Sequence, residues 1–206
     1  MRTDTLDEFL QALAARVPAP GGGASAALQA AQAAALVGMV ARYSDGPRPA
    51  DHAAVVIAVR DDSDACRLCA LDLAEQDTAL FGAVADAYGL PRSTGQEKAA
   101  RSLAIAAALI EAGRVPAQVV ALAERIVGLA ERLLPVGNPN VVSDVAAAAD
   151  AARAAASTAR VNVEINLAGI ADAAARTELT DALGGVDDLL TRADKVTAAV
   201  REQILR

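Results

Sequence analysis

The stretch Ala24–Ala41 limits what this chain can fold into more than any other feature: a long run without a charge, mostly alanine, introduced by Pro20-Gly21-Gly22-Gly23. Alanine loses no side-chain entropy in a helix, and strand-forming aromatic and β-branched residues are scarce, so the stretch predicts a helix. Its length approaches that of a membrane span. Alanine is only weakly apolar, however, and Gln29 and Gln32 interrupt the run, so a buried core helix is the expected state and no membrane partner is expected.

A buried alanine helix needs neighbours that come close, and composition leaves few other ways to fill the interior. Hydrophobic residues are 54% of the chain but aromatics only 2%, namely Phe9, Tyr43, Phe81 and Tyr88. Ala, Leu, Val and Ile must therefore form the core. The expectation is an all-α, single-domain, up-and-down helical bundle of about eight helices spanning residues 1–206.

Local signals set the predicted boundaries. Thr5-Leu6-Asp7-Glu8 has the form of a capping box and opens an amphipathic helix stopped by Pro18 and Pro20. The helix after Gly23 runs to about Tyr43, where Ser44-Asp45-Gly46-Pro47 and Pro49 break it. Residues 51–90 contain no proline and read as one helix of about 60 Å, or two joined by a kink. Thr94-Gly95-Gln96-Glu97 is a second capping box, whose helix is expected to close at Gly113. Pro116 opens the next, up to Leu134. After Pro135-Val136-Gly137-Asn138-Pro139-Asn140 an alanine-rich helix extends to about Ile170, with Asn140, Ser143 and Asp144 as possible caps. Gly184-Gly185 divides the remainder into two helices.

The formal net charge of −7 and the absence of a Lys/Arg cluster argue against nucleic acid as a partner. Met1-Arg2-Thr3-Asp4 starts no apolar leader, so the expected location is cytoplasmic. Cys66 and Cys69 form a C-x-x-C pair, but no second pair follows and the only histidine is His52. No metal site is expected from them. The glycine triad lacks the lysine of a P-loop and the preceding strand of a dinucleotide fingerprint. It offers a helix N-terminus with free backbone donors and nothing to block approach, suited to a carboxylate or carbonyl oxygen, although a purely structural turn reads equally well.

With histidine nearly absent, a general acid or base must be a carboxylate or a lysine, which makes Asp77 and Asp144 the candidates. Asn162 and Asn166 are four apart and share a helix face, and inward-facing amides need partners. Asn138, Asn140 and Asp144 stand at the mouth of the same helix and read as a row of polar groups leading into a bundle. Lys98 and Arg101 follow the second capping box.

Four separated motifs resemble one family. They are Val17-Pro18-Ala19-Pro20-Gly21-Gly22-Gly23; Asp77 through Phe81 leading to Tyr88-Gly89-Leu90-Pro91; Thr94 with Glu97-Lys98 and Arg101; and Gly137 through Asp144 with Asn162 and Asn166. In this order they resemble the cyclodeaminase/cyclohydrolase domain of the formiminotransferase-cyclodeaminase family, from about Leu6 to Leu205. The resemblance implies an all-helical homodimer acting, without cofactor or metal, on tetrahydrofolate carrying a one-carbon unit. The absence of a formiminotransferase domain favours a methenyltetrahydrofolate cyclohydrolase over the related ammonia-releasing cyclodeaminase. A folate-binding or scaffolding dimer without turnover is the alternative.

Under that resemblance, Asp77 or Asp144 stabilises the amidinium-like carbon and deprotonates water, while Asn138, Asn140, Asn162 and Asn166 donate to the oxygen of the tetrahedral intermediate. Pro20, Gly21, Gly22 and Gly23, with Lys98 and Arg101, are expected to bind substrate, including its glutamate tail. One departure stands out. Family members commonly carry Ser after the three glycines, where this chain has Ala24 followed by Ser25.

Overall fold

The structure is a computed structural model and describes residues 2–46 and 49–206. Pro47, part of the predicted breaker cluster, lies outside the described residues. Seven α-helices are seen among the described residues: α1 (Leu6–Ala14), α2 (Gly22–Tyr43), α3 (Ala50–Gly89), α4 (Gly95–Leu133), α5 (Ser143–Leu167), α6 (Ala173–Asp181) and α7 (Val186–Ile204). A single 3-10 turn, Pro139–Val141, precedes α5. Both predicted capping boxes form, with Thr5 and Glu8 exchanging hydrogen bonds at α1 and Thr94 and Glu97 at α4.

The alanine stretch is the core of the bundle. Ala26, Ala27, Ala30, Ala33 and Ala34 of α2 are fully buried, as are Ala148, Ala149, Ala152, Ala155, Ala156 and Ala159 of α5. α2 packs chiefly on α3 and α5, α4 packs on α3 and α5, and α7 lies across α5. By length and composition α2 and α4 are both apolar enough to cross a membrane. In this fold α2 buries most of its apolar length against protein. A methyl side chain presents little bulk, so the α2–α5 contact gains its stabilisation from close approach along many turns.

Residues 50–89 form one continuous helix. The predicted break at Gly113 is not there, and the expected total of about eight helices falls to seven, because α4 runs through both Gly113 and Pro116. Packing explains the glycine: a Cβ on Gly113 would come within 2.9 Å of Leu179 Cδ1 and 3.6 Å of Asn166 Cβ. Gly113 makes room for α5 and α6 and caps nothing. The first helix also stops earlier than its prolines suggest, at Ala14, and none of its residues is buried.

Two apolar clusters result. The large one holds α2, α5, α7, most of α3 and the second half of α4. A smaller one, with Val84, Leu109, Val163, Ile170, Ala175 and Leu179, lies where α3, α4 and α5 continue past the start of α2 and α6 closes over them. α2 is shorter than α3, α4 or α5, so a recess is left above its N-terminus, between the two clusters.

Candidate active site

That recess is a cavity of about 170 Å³, lined by Gly21, Gly22 and Gly23 below, Asp77 and Phe81 of α3, Ala112 and Pro116 of α4, and Asn162, Ile165 and Asn166 of α5, with Pro18 at the rim. Sequence spacing accounts for how each helix contributes. Asp77 and Phe81 are four apart, as are Ala112 and Pro116, while Asn162, Ile165 and Asn166 sit at i, i+3 and i+4, so each set shares a face.

Asp77 is the best-defined group. Its carboxylate lies against the Gly23 backbone, so close that a Cβ built on Gly23 would fall inside it. The Ala24 backbone N–H donates to this carboxylate, which therefore caps α2 from another helix. Burial pushes the Asp77 carboxyl above its ordinary value, and the Ala24 hydrogen bond opposes this more weakly. An acid held at a helix N-terminus yet shifted upward by desolvation can accept and return a proton nearer neutral pH than an exposed aspartate.

The two asparagines are fixed along their own helix. Asn162 Nδ2 donates to the Thr158 carbonyl at 2.8 Å, and Asn166 Nδ2 donates to the Asn162 carbonyl at 2.8 Å. Each amide nitrogen carries a second hydrogen, which remains for the cavity together with the side-chain oxygen. A Cβ on Gly22 would lie 3.5 Å from Asn162 Nδ2, so α2 and α5 meet here with only hydrogen on the glycine side. Of the glycine triad, Gly23 answers a steric need, because a Cβ there would collide with Asp77, whereas one at Gly22 would make only ordinary contact with Asn162.

The structure does not bring every predicted site residue to this cavity. Asp144 lies at the opposite end of α5 from Asn162, about 27 Å away along the helix at 1.5 Å per residue. Asn138 is occupied with the other end of α2: its backbone N–H donates to Ser44 Oγ at 2.7 Å, and its Nδ2 donates to the Tyr43 carbonyl at 2.9 Å. Asn138 Oδ1 accepts from the Asn140 N–H at 3.0 Å, so Asn138 caps the short 3-10 turn. Neither Asn140 nor Asp144 caps α5 with its side chain. Pro20 directly precedes the cavity-lining glycines.

Arg101 and Lys98 lie near the α3–α4 turn. The Arg101 guanidinium donates to the Tyr88 carbonyl at 3.0 Å and stands 5.5 Å from the Tyr88 ring centroid, holding the C-terminus of α3. Tyr88 is about 16 Å beyond Asp77 along α3. Cys66 is buried and Cys69 exposed within α3, with burial raising the Cys66 thiol. No three His, Cys, Asp or Glu side chains converge as metal ligands among the described residues.

Phe81, Ala112, Pro116 and Ile165 are the lining residues that residue chemistry alone did not single out as site members. The detectable signal was their register: each stands one helical turn from, or on the same face as, another lining residue. Positions 24 and 25 have different roles in the fold. Ala24 is fully buried and serves Asp77 through its backbone N–H, whereas Ser25 Oγ donates back to the Gly21 carbonyl at 3.0 Å.

The protein is a helical-bundle domain with a small, mixed polar and apolar pocket at the open end of a buried helix. Comparison with known proteins makes the class specific. The formiminotransferase-cyclodeaminase family model matches residues 5–184, and the chain belongs to this family. It is 35% identical over 202 residues to a methenyltetrahydrofolate cyclohydrolase of Methylorubrum extorquens, covering 98% of this chain and 96% of that protein. It is also 31% identical over 169 residues to the formimidoyltransferase-cyclodeaminase of Mus musculus, covering 82% of this chain but 31% of the mouse protein. A solved formiminotetrahydrofolate cyclodeaminase from Thermotoga maritima superposes with a TM-score of 0.86 at 30% identity, over 100% of this chain and 99% of that one.

Proposed function

We propose that this protein hydrolyses 5,10-methenyltetrahydrofolate to 10-formyltetrahydrofolate, with Asp77 as the acid/base. The carrying observation is the desolvated Asp77 carboxylate held over Gly23 in a cavity walled by Asn162 and Asn166. The substrate carbon is an amidinium between two ring nitrogens. A carboxylate beside it offsets the positive charge and takes a proton from the attacking water. The new C–O bond gives a tetrahedral intermediate whose oxygen meets the asparagine amides. Its collapse breaks the bond from carbon to N5, leaves the formyl group on N10 and returns a proton to N5. The net reaction consumes one water and releases one proton, and no cofactor or metal enters it.

Full-length similarity to the Methylorubrum cyclohydrolase favours this reaction. The cyclodeaminase reaction, closing formiminotetrahydrofolate with loss of ammonia, passes through the same carbon and is the second reading, favoured by the Thermotoga structure. Mixing the protein with methenyltetrahydrofolate accelerates loss of the substrate's absorbance if the first reading holds. Ammonia released from formiminotetrahydrofolate with no such acceleration replaces it with the second.

The protein acts as a cytoplasmic homodimer in this reading. The support for a dimer is the solvent side of α2, where Gln32, Ala35, Leu36 and Met39 form a largely apolar surface without a charge. Leu36→Glu should yield a monomer by light scattering. Lys98 and Arg101, near the α3–α4 turn, are the cations this reading assigns to the substrate's glutamate carboxylates.

A further inference from the structure

Pro116 is the one predicted helix break that the fold overrides without an evident structural return. It stands inside α4, buried, and lines the cavity. A proline at position i has no N–H, so the carbonyl of i−4 loses its helical donor, and the ring pushes that carbonyl outward. Here that carbonyl belongs to Ala112, which lines the same cavity one turn earlier. A helix carbonyl points along the axis towards residue i+4, so the freed oxygen lies on the α4 face that Ala112 and Pro116 present to the cavity.

We infer that the Ala112 carbonyl is a substrate-binding acceptor, released by Pro116, that takes a hydrogen bond from the ring-edge amino group of the reduced pterin. This rests on the folate reading above. Three features of the site support that choice of ligand group. The polar side chains lining the cavity are a carboxylate and two amides, assigned above to the reacting carbon and its oxygen, and the glycine backbone adds only donors. Phe81 and Ile165 remain 49% and 71% exposed although both line the cavity, which leaves apolar surface for the faces of a flat ring. A ring gripped by its faces turns towards α4 with its edge, and an acceptor there must be met by an N–H, since a freed carbonyl facing an apolar edge would lose hydration without replacement.

The test is a double-mutant-type cycle between protein and ligand. Pro116→Val restores an N–H at position 116, closes the Ala112 carbonyl into the helix and keeps branched apolar bulk; Pro116→Ala controls for volume. Calorimetric titration compares 5-formyltetrahydrofolate with its 2-desamino-2-methyl analogue. The wild-type protein should bind the amino compound about 10-fold or more tightly than the analogue. Both variants should fold, with unchanged or raised melting temperature, bind the amino compound about 10-fold more weakly, and no longer discriminate between the two ligands. Undiminished discrimination in the variants, or none in the wild type, overturns the inference and leaves the folate reading standing. Wild-type protein that binds neither ligand overturns both.

Discussion

α2 is treated in opposite ways at its two ends. At the C-terminus, Ser44 Oγ donates to the Val40 carbonyl and accepts from the Asn138 N–H, and the Asn138 amide covers the Tyr43 carbonyl. Ser44 at the helix end and Asn138 of the loop preceding α5 together close that end. At the N-terminus, Gly21 provides no side-chain cap, and the partner supplied is a single desolvated carboxylate from α3. The same requirement, satisfying the terminal groups of a buried helix, is met fully at one end and left partly open at the other. The open end is the one with a cavity above it. Asparagines occur at both ends, but at the closed end Asn138 spends its amide on the protein, while at the open end Asn162 and Asn166 keep capacity for a ligand.

The sharpest way to break this comparison is Asp77→Asn. It should lower turnover about 1,000-fold, within the usual range for a general acid or base, without unfolding the protein. Because burial raises the Asp77 carboxyl in the folded state, the native fold disfavours the ionised form, and wild-type stability falls as pH rises from the ordinary aspartate range through the raised value. The variant lacks this loss, so its stability advantage in urea should grow with pH over that window. A constant difference from pH 4 to pH 8 would remove burial as the cause.

Gly23→Ala should follow in size. The added methyl displaces the Asp77 carboxylate, and a misplacement of this order lowers turnover about 100-fold, with substrate binding less affected. Steady-state kinetics separating kcat from KM check it. At the closed end the effect should be of another kind: Ser44→Ala leaves the Asn138 N–H without its acceptor and should destabilise the fold by about 1–3 kcal/mol, with turnover per folded molecule unchanged. The smallest effect is expected from Asp144→Asn, with turnover within about 3-fold of wild type, the range of a charge remote from the site. A loss matching that of Asp77→Asn would place the far end of α5 in an active site, which only a neighbouring copy could accomplish.

Much of this was legible because helix ends have strong local chemistry. The capping boxes at Thr5 and Thr94, the Pro20 turn and the Pro135 turn mark boundaries found in the fold. Gly113 and Pro116 misled for the complementary reason: both are punctuation in isolation, and only the contact with Leu179 and the cavity beside α4 show why an uninterrupted helix keeps them. Within the site, Asp77, Asn162, Asn166 and the glycines were readable from residue type and spacing. Asn138, Asn140 and Asp144 were joined to them because they stand at or just before the start of the helix that carries the asparagine face, and periodicity states which face a residue occupies but not how far along the axis its neighbours lie. Residue chemistry singled out neither Phe81, which entered only as the end of a family motif, nor Ile165, since an apolar side chain at a helical spacing looks the same whether it lines a core or a ligand cavity.

The alanine contact between α2 and α5 reaches further than stability. Gly22 and Asn162, which face each other at the cavity, are carried by the same two helices that Ala30, Ala34, Ala152 and Ala156 hold together deeper in the bundle. Interiors packed to crystal-like density do not absorb an added methylene locally, so a valine at one of these alanines would wedge the helices apart and widen the cavity from a distance. The methyl-lined seam therefore acts as a gauge for the width of the pocket. Lineages could retune which ring substituents fit by changing residues that no substrate ever touches.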